Sequence, residues 1–285
     1  MTNYDFYIET KNTLEAMATL KNISTNELER YYAQTDKCCY FYKDLEGIDR
    51  VFAQMLFHAQ NATMTSNIVK FEKNYAFLKK ITCDFNPENF LNKYNGSDAV
   101  EKIVEDLRAK NGEGLVWNSD KSTKHKDGII KRYAKSMLEC ANYLKKFATD
   151  AAVLADLKSH NEDFESLVSY FRSNIKNGFS VALTCDFLKE YDSAFDLPKP
   201  DVHIKDIVAA KNSHSPNYYN NEKRELELVK EMITITEDIN NELKIRGKKP
   251  ITVYQLDRML WLVCTENFFL HNEPNNKKAF IQRVK

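Results

Sequence analysis

The stretch DLPKPDVHIKDIV, residues 196 to 208, places a carboxylate, Asp201, directly behind two prolines and two residues ahead of a histidine, His203. Proline fixes its own φ and pushes the residue before it toward extended backbone. The segment should therefore arrive extended and deliver Asp201 at the start of a new helix. A carboxylate there has two roles open to it. It can cap the helix by accepting main-chain N–H groups. It can also be held rigidly for chemistry, stabilising a developing positive charge or orienting and deprotonating a water. His203 reads as a helix-start histidine bonding to backbone behind the aspartate, and Lys205 faces either a phosphate or solvent.

Upstream, NIKNGFSVALTCDFLKEY, residues 174 to 191, reads as a glycine-containing turn that runs into a helix. Such a turn leaves main-chain N–H groups unpaired, and Gly178 lets the backbone approach a neighbour closely. The turn can bind a phosphate through Gly178 and Ser180, with Lys176 beside them. It can equally be an ordinary corner between two helices. The loop WNSDKSTKHKDG is basic at its centre, with Lys121, Lys124, His125 and Lys126. It is a candidate local basic face or simply solvated, and KIRGKK, residues 244 to 249, is a second basic edge of the same kind.

These residues have to be positioned by helices. Glycine (7) and proline (6) are scarce in 285 residues, which moves the expectation away from turn-rich folds. Apolar residues make up 43 % of the chain, enough for a real core. Apolar residues recur at helical spacing over 49–60, 61–80, 97–110, 128–147, 162–175, 179–191, 222–245 and 252–264. No stretch alternates as a strand does, so the expected class is all-α. The residues before 49 read as an N-terminal arm.

Basic and acidic residues balance at 41 each, which argues against an indiscriminate polyanion binder but leaves room for a local basic face. The six cysteines include no C-x-x-C pair, and the N-terminus lacks the apolar run of a secretory signal. No window approaches the roughly 18 apolar residues of a membrane span. The expectation is a cytoplasmic protein with reduced thiols, no metal and no membrane partner.

Three segments, taken together, resemble the helix-hairpin-helix base-excision DNA glycosylases, the superfamily of endonuclease III and 8-oxoguanine glycosylase. The hairpin followed by KPDVHIKDI is similar to that family's hairpin and aspartate segment. MLFHAQNATMTSNIVKF resembles its early helix junction, and KHKDGIIKRYAKSM resembles the helix before its hairpin. The three cover about residues 50 to 210. The resemblance implies a two-lobed helical fold, with a barrel lobe over 50–188 ending in the hairpin. Residues 1–49 and 189–285 would form the second lobe, with Asp201 and the hairpin facing the cleft.

It also implies a DNA partner, a monomer, and removal of a damaged or modified base. Asp201 would be the catalytic carboxylate and His203 its support. Gln60 would fill the gap left by an extruded base, and Lys176, Gly178, Ser180, Lys121, Lys124 and Lys126 would contact DNA. The position of the family's nucleophilic lysine falls on Val181 or Ala182, which implies hydrolysis by water without strand cleavage. The hairpin has one glycine where the family has two. Only Cys264 stands near the C-terminus, so no iron–sulfur cluster is expected, although a monovalent cation could sit at the hairpin. Two other readings remain open: a catalytically inactive DNA-binding protein of the same fold, and a helical interaction protein.

Overall fold

The computed structural model describes residues 1–32, 44–61, 68–109, 123–265 and 277–285, without the side chains of 123–127 and 278. Among the described residues every regular element is an α-helix, so the chain is all-α. In chain order these are α1 (Asn3–Leu20), α2 (Thr25–Tyr32), α3 (Gly47–Ala59), α4 (Tyr75–Ile81), α5 (Pro87–Lys93), α6 (Ala99–Ala109) and α7 (Thr123–Leu144). There follow α8 (Asp150–Ser159), α9 (Phe164–Asn174), α10 (Val181–Tyr191), α11 (Val202–Lys211), α12 (Glu222–Ile245), α13 (Val253–Thr265) and α14 (Lys277–Val284). By contacts the chain divides into one unit of Met1–Lys37 with Leu188–Lys285 and another of Cys38–Phe187.

The unit Cys38–Phe187 is organised on α7, which packs against α3, α5 and α6. Ile130, Tyr133, Ala134, Met137, Ala141 and Leu144 of α7 are buried, following the helical period. The Tyr133 hydroxyl donates to the Leu56 carbonyl of α3 at 3.3 Å, which satisfies a polar tip deep in the core. The helix expected to open at NATM is not found over 68–74, where the chain turns, and α4 begins only at Tyr75. The cause is local competition for donors. The Gln60 carbonyl accepts from Ile68 N–H and its Oε1 accepts from Phe71 N–H, while the Asn74 amide donates to the Val69 carbonyl. Ile68 and Phe71 are buried all the same. Their spacing reports a core-facing turn rather than a helix.

In the other unit α13 packs against α1, α2, α11, α12 and α14. Leu256, Met259, Leu260 and Val263 of α13 join Phe6, Leu14, Ile204, Val208, Met232 and Ile239 in one core. Each such side chain contributes roughly 1.5–3 kcal/mol by leaving water. The expected N-terminal arm is the helix α1, capped by Thr2, whose side chain accepts from Asp5 N–H. Its buried stripe includes Thr10, whose hydroxyl donates to the Phe6 carbonyl at 2.8 Å, so a polar letter occupies a core position.

A buried ion pair ties α10 to α13: Lys189 Nζ lies 2.6 Å from Asp257 Oδ2, and both residues are at most 5 % exposed. The ammonium also lies 5.2 Å from the centre of the Tyr254 ring. Such pairs cost as much to desolvate as they return, but losing one partner is expensive. Lys189→Met is expected to cost about 3–5 kcal/mol of unfolding free energy in urea, and the double variant with Asp257→Leu should recover most of it. Equal losses in the single and double variants would contradict a net cost set by the pairing.

Candidate functional site

The Pro-framed segment is held to the core: Phe195, Leu197, Pro198 and Pro200 are buried, while Asp196 and Lys199 are less so. Asp196 reaches the start of α13, where its two carboxylate oxygens accept from Val253 N–H at 2.9 Å and Tyr254 N–H at 2.8 Å. Asp201 caps α11, and its Oδ1 accepts from His203 N–H at 2.8 Å and Ile204 N–H at 3.1 Å. Its own N–H donates to the Lys199 carbonyl at 2.7 Å, closing a tight loop around Pro200. Asp201 is half-buried, and among the described residues its Oδ2 accepts no hydrogen bond. Val202 beside it is 61 % exposed.

His203 is half-buried, and its Nδ1 is inaccessible with no hydrogen-bond partner, so the expected bond from the ring to the backbone is not made at that atom. Burial pushes the imidazole below its ordinary value, against the pull of Asp201, and it is therefore neutral at pH 7. Lys277 of α14 donates to Asp206 Oδ2 at 2.5 Å and to the Val202 carbonyl at 3.3 Å, pinning the first turn of α11. Cys264 lies close enough to feel Lys277, Asp201 and Asp206, but burial pushes its thiol up to about 12, which leaves it unreactive.

The hairpin in the unit Cys38–Phe187 has a longer link than the sequence suggests. α9 ends at Asn174 and α10 begins at Val181, so residues 175–180 form the connection. Ser180 is exposed, and its Oγ accepts from Leu183 N–H at 3.3 Å as the N-terminal cap of α10. Lys176 is exposed. Gly178 is buried at φ +85°, and a Cβ there would lie 2.7 Å from the Ser136 Cβ. Its close approach is thus to α7. The Glu139 carboxylate of α7 already holds the turn, accepting from Asn177 N–H at 2.7 Å and from the Asn177 amide at 2.6 Å. An internal anion occupies one of the donors that a phosphate would use.

Gln60 is fully buried and holds Phe71 N–H through its Oε1 at 3.0 Å, so a wedge role would require it to leave the fold's interior. Its Nε2 has no partner among the described residues. Lys121 lies outside the described residues. Lys124 and Lys126 lie on the first turns of α7, and their side chains are outside the described set. Asp196, Glu139 and Lys277 were not legible as site residues: each acts on a distant segment, and no local spacing marks such a bond. No group of three or more His, Cys, Asp or Glu is placed to hold a metal among the described residues. No helix there is long and apolar enough to cross a membrane.

Gly178→Ala must accept both a left-handed backbone and the Ser136 contact, with an expected loss of roughly 2–4 kcal/mol in thermal or denaturant unfolding. Ser136→Gly in the same chain removes the closest contact but costs about 1 kcal/mol itself as a glycine inside α7, so the double variant should lose clearly less than the sum of the two single variants. Additive losses would show that the Ser136 contact is not what the glycine serves.

Comparison of the chain with family models, with characterised proteins and with solved structures finds no match.

Proposed function

We propose that the chain is a monofunctional DNA glycosylase with the two-lobed helix-hairpin-helix fold. It would hydrolyse the N-glycosidic bond of a damaged or modified base and leave an intact abasic site, as a monomer without an iron–sulfur cluster. The observation that carries this reading is the asymmetry of the Asp201 carboxylate. Oδ1 is fixed by two main-chain N–H groups, while Oδ2 is left without a partner among the described residues. A plain cap needs only the first oxygen. The second is a carboxylate oxygen held in place at a half-buried position, where a charge is screened less than in open water.

The chemistry follows from that oxygen. The target base leaves the stack to be reached. As the C1′–N bond breaks, its electron pair departs with the base and positive charge builds on the sugar, as in glycoside hydrolysis. Asp201 Oδ2 stabilises that charge. A water then bonds to C1′ and gives its proton to the carboxylate, from which it passes to solvent, while the departed base takes up a proton from solvent on the nitrogen that held the sugar. Water is the nucleophile because the positions a Schiff-base lysine would hold are Val181 and Ala182, and Lys189 is buried against Asp257. A second reading, DNA binding without catalysis, draws on the absence of a lysine at 181 and 182 and on the neutral charge balance.

The test is base release from duplexes and single strands carrying uracil, alkylated purines, oxidised bases, mismatches and modified cytosines, followed by alkali. The native chain should release one substrate class. Asp201→Asn keeps the cap, since Asn caps as well as Asp, so it should fold and bind DNA unchanged while release falls by about two orders of magnitude or more. Strand breaks before alkali would contradict the monofunctional mechanism. Salt-sensitive binding with no release would support the second reading.

A further inference from the structure

We propose that the exposed face of α7 is a contact surface for the sugar–phosphate backbone of duplex DNA. The partner rests on the DNA-acting reading above, but the geometry rests on the unit Cys38–Phe187 alone. Gly128, Lys131, Arg132, Lys135, Asn142 and Lys146 recur at the helical period and are all exposed. From 128 to 146 the segment holds Lys131, Arg132, Lys135, Lys145 and Lys146 against one acid, Glu139, a net charge of 5 − 1 = +4 in a chain that balances 41 against 41. Glu139 is turned into the hairpin, where it bonds Asn177. Lys131 lies 3.6 Å from Glu101, while Arg132, Lys135 and Lys145 make no ion pair among the described residues. Lys131 to Lys146 spans about 22 Å at 1.5 Å per residue, the axial rise of about six phosphates on one strand. Lys146, bonded to Asn174 at 2.8 Å, ends the stripe beside the last residue of α9.

A row of lysines on a helix is often only solvated, and Gly128 is the independent observation that separates the two cases. Glycine weakens a helix interior relative to alanine. At Gly128 a Cβ would meet nothing within 4 Å among the described residues, so no described neighbour accounts for it. A bare backbone on an exposed cationic face suits close approach by a ligand. Two groups of cations, Lys131, Arg132 and Lys135 and then Lys145 and Lys146, set apart along one face with bare backbone at Gly128, fit the repeating phosphates of a nucleic-acid strand better than a single anion.

The experiment is a titration of a labelled duplex of arbitrary sequence across a range of salt, read by anisotropy. The double variant Arg132→Gln, Lys135→Gln should weaken binding about equally for all sequences and lower the slope of log affinity against log salt by about 2. Lys223→Gln, on α12, should change neither. Gly128→Ala should raise Tm by about 1–3 °C while weakening DNA binding, two shifts of opposite sense that a structural role would not produce together. An unchanged slope in the double variant, or tighter binding by Gly128→Ala, would overturn the surface. A preference for RNA over duplex DNA would overturn the partner. Base release measured on the same proteins keeps the two ideas apart. Release by the native chain with an unaltered slope in the variant sinks only the surface. A lowered slope with no release from any substrate sinks only the glycosylase.

Discussion

Two carboxylates on one short segment, Asp196 and Asp201, each hold the start of a different helix, and the placement of α11 against α13 depends on them. Asp196 satisfies two orphan donors at the head of α13, and Asp201 satisfies two at the head of α11. Between them Leu197, Pro198 and Pro200 are buried, so the segment cannot drift without exposing apolar surface. Lys277 closes the arrangement by bonding the Val202 carbonyl and Asp206. A charge used in catalysis loses most of its effect when displaced by about 1 Å. Here one side chain is fixed by its own two bonds, by a second anchored carboxylate upstream and by an ammonium downstream.

The helix period made much of the fold legible. α3, α6, α7, α9, α10, α12 and α13 fall within a few residues of the apolar patterns that mark them. What was hidden had a physical cause in each case. α1 carries Thr10 in its buried stripe, and a threonine that bonds back to its own helix looks polar on paper while behaving as core. The stretch after Gln60 has apolar residues at helical spacing, yet side-chain acceptors from Gln60 and a donor from Asn74 take the backbone groups a helix would use. The capping role of Asp201 was readable, because proline before it and an apolar run after it leave few alternatives. Asp196, five positions earlier in the same quoted stretch, was not, because its partners at 253 and 254 are brought close only by the tertiary fold.

The hairpin separates two properties that a short motif joins. Its glycine is required, but by Ser136 and Ala59 behind it. Its turn does bind an anion, but that anion is Glu139 of the same chain. The anion affinity of unpaired N–H groups is general chemistry, and sequence alone does not tell whether the anion comes from within or without. Glu139 also turns the one acid of residues 128–146 into the hairpin, so the same carboxylate that partly fills the hairpin leaves the exposed positions of that stretch cationic or neutral.

The proposed facing of Asp201 Oδ2 toward a sugar that becomes positive can be measured without knowing which base would be removed. Duplexes would carry one of two abasic-site analogues: a pyrrolidine whose protonated nitrogen mimics the charged sugar, or the neutral tetrahydrofuran of the same shape. Transition-state mimics bind at least about a hundredfold more tightly than ground-state ones. The native chain should therefore prefer the pyrrolidine duplex by that margin, and Asp201→Asn should bind both alike. Equal binding of the two duplexes by the native chain, or a preference that survives Asp201→Asn, would contradict the account.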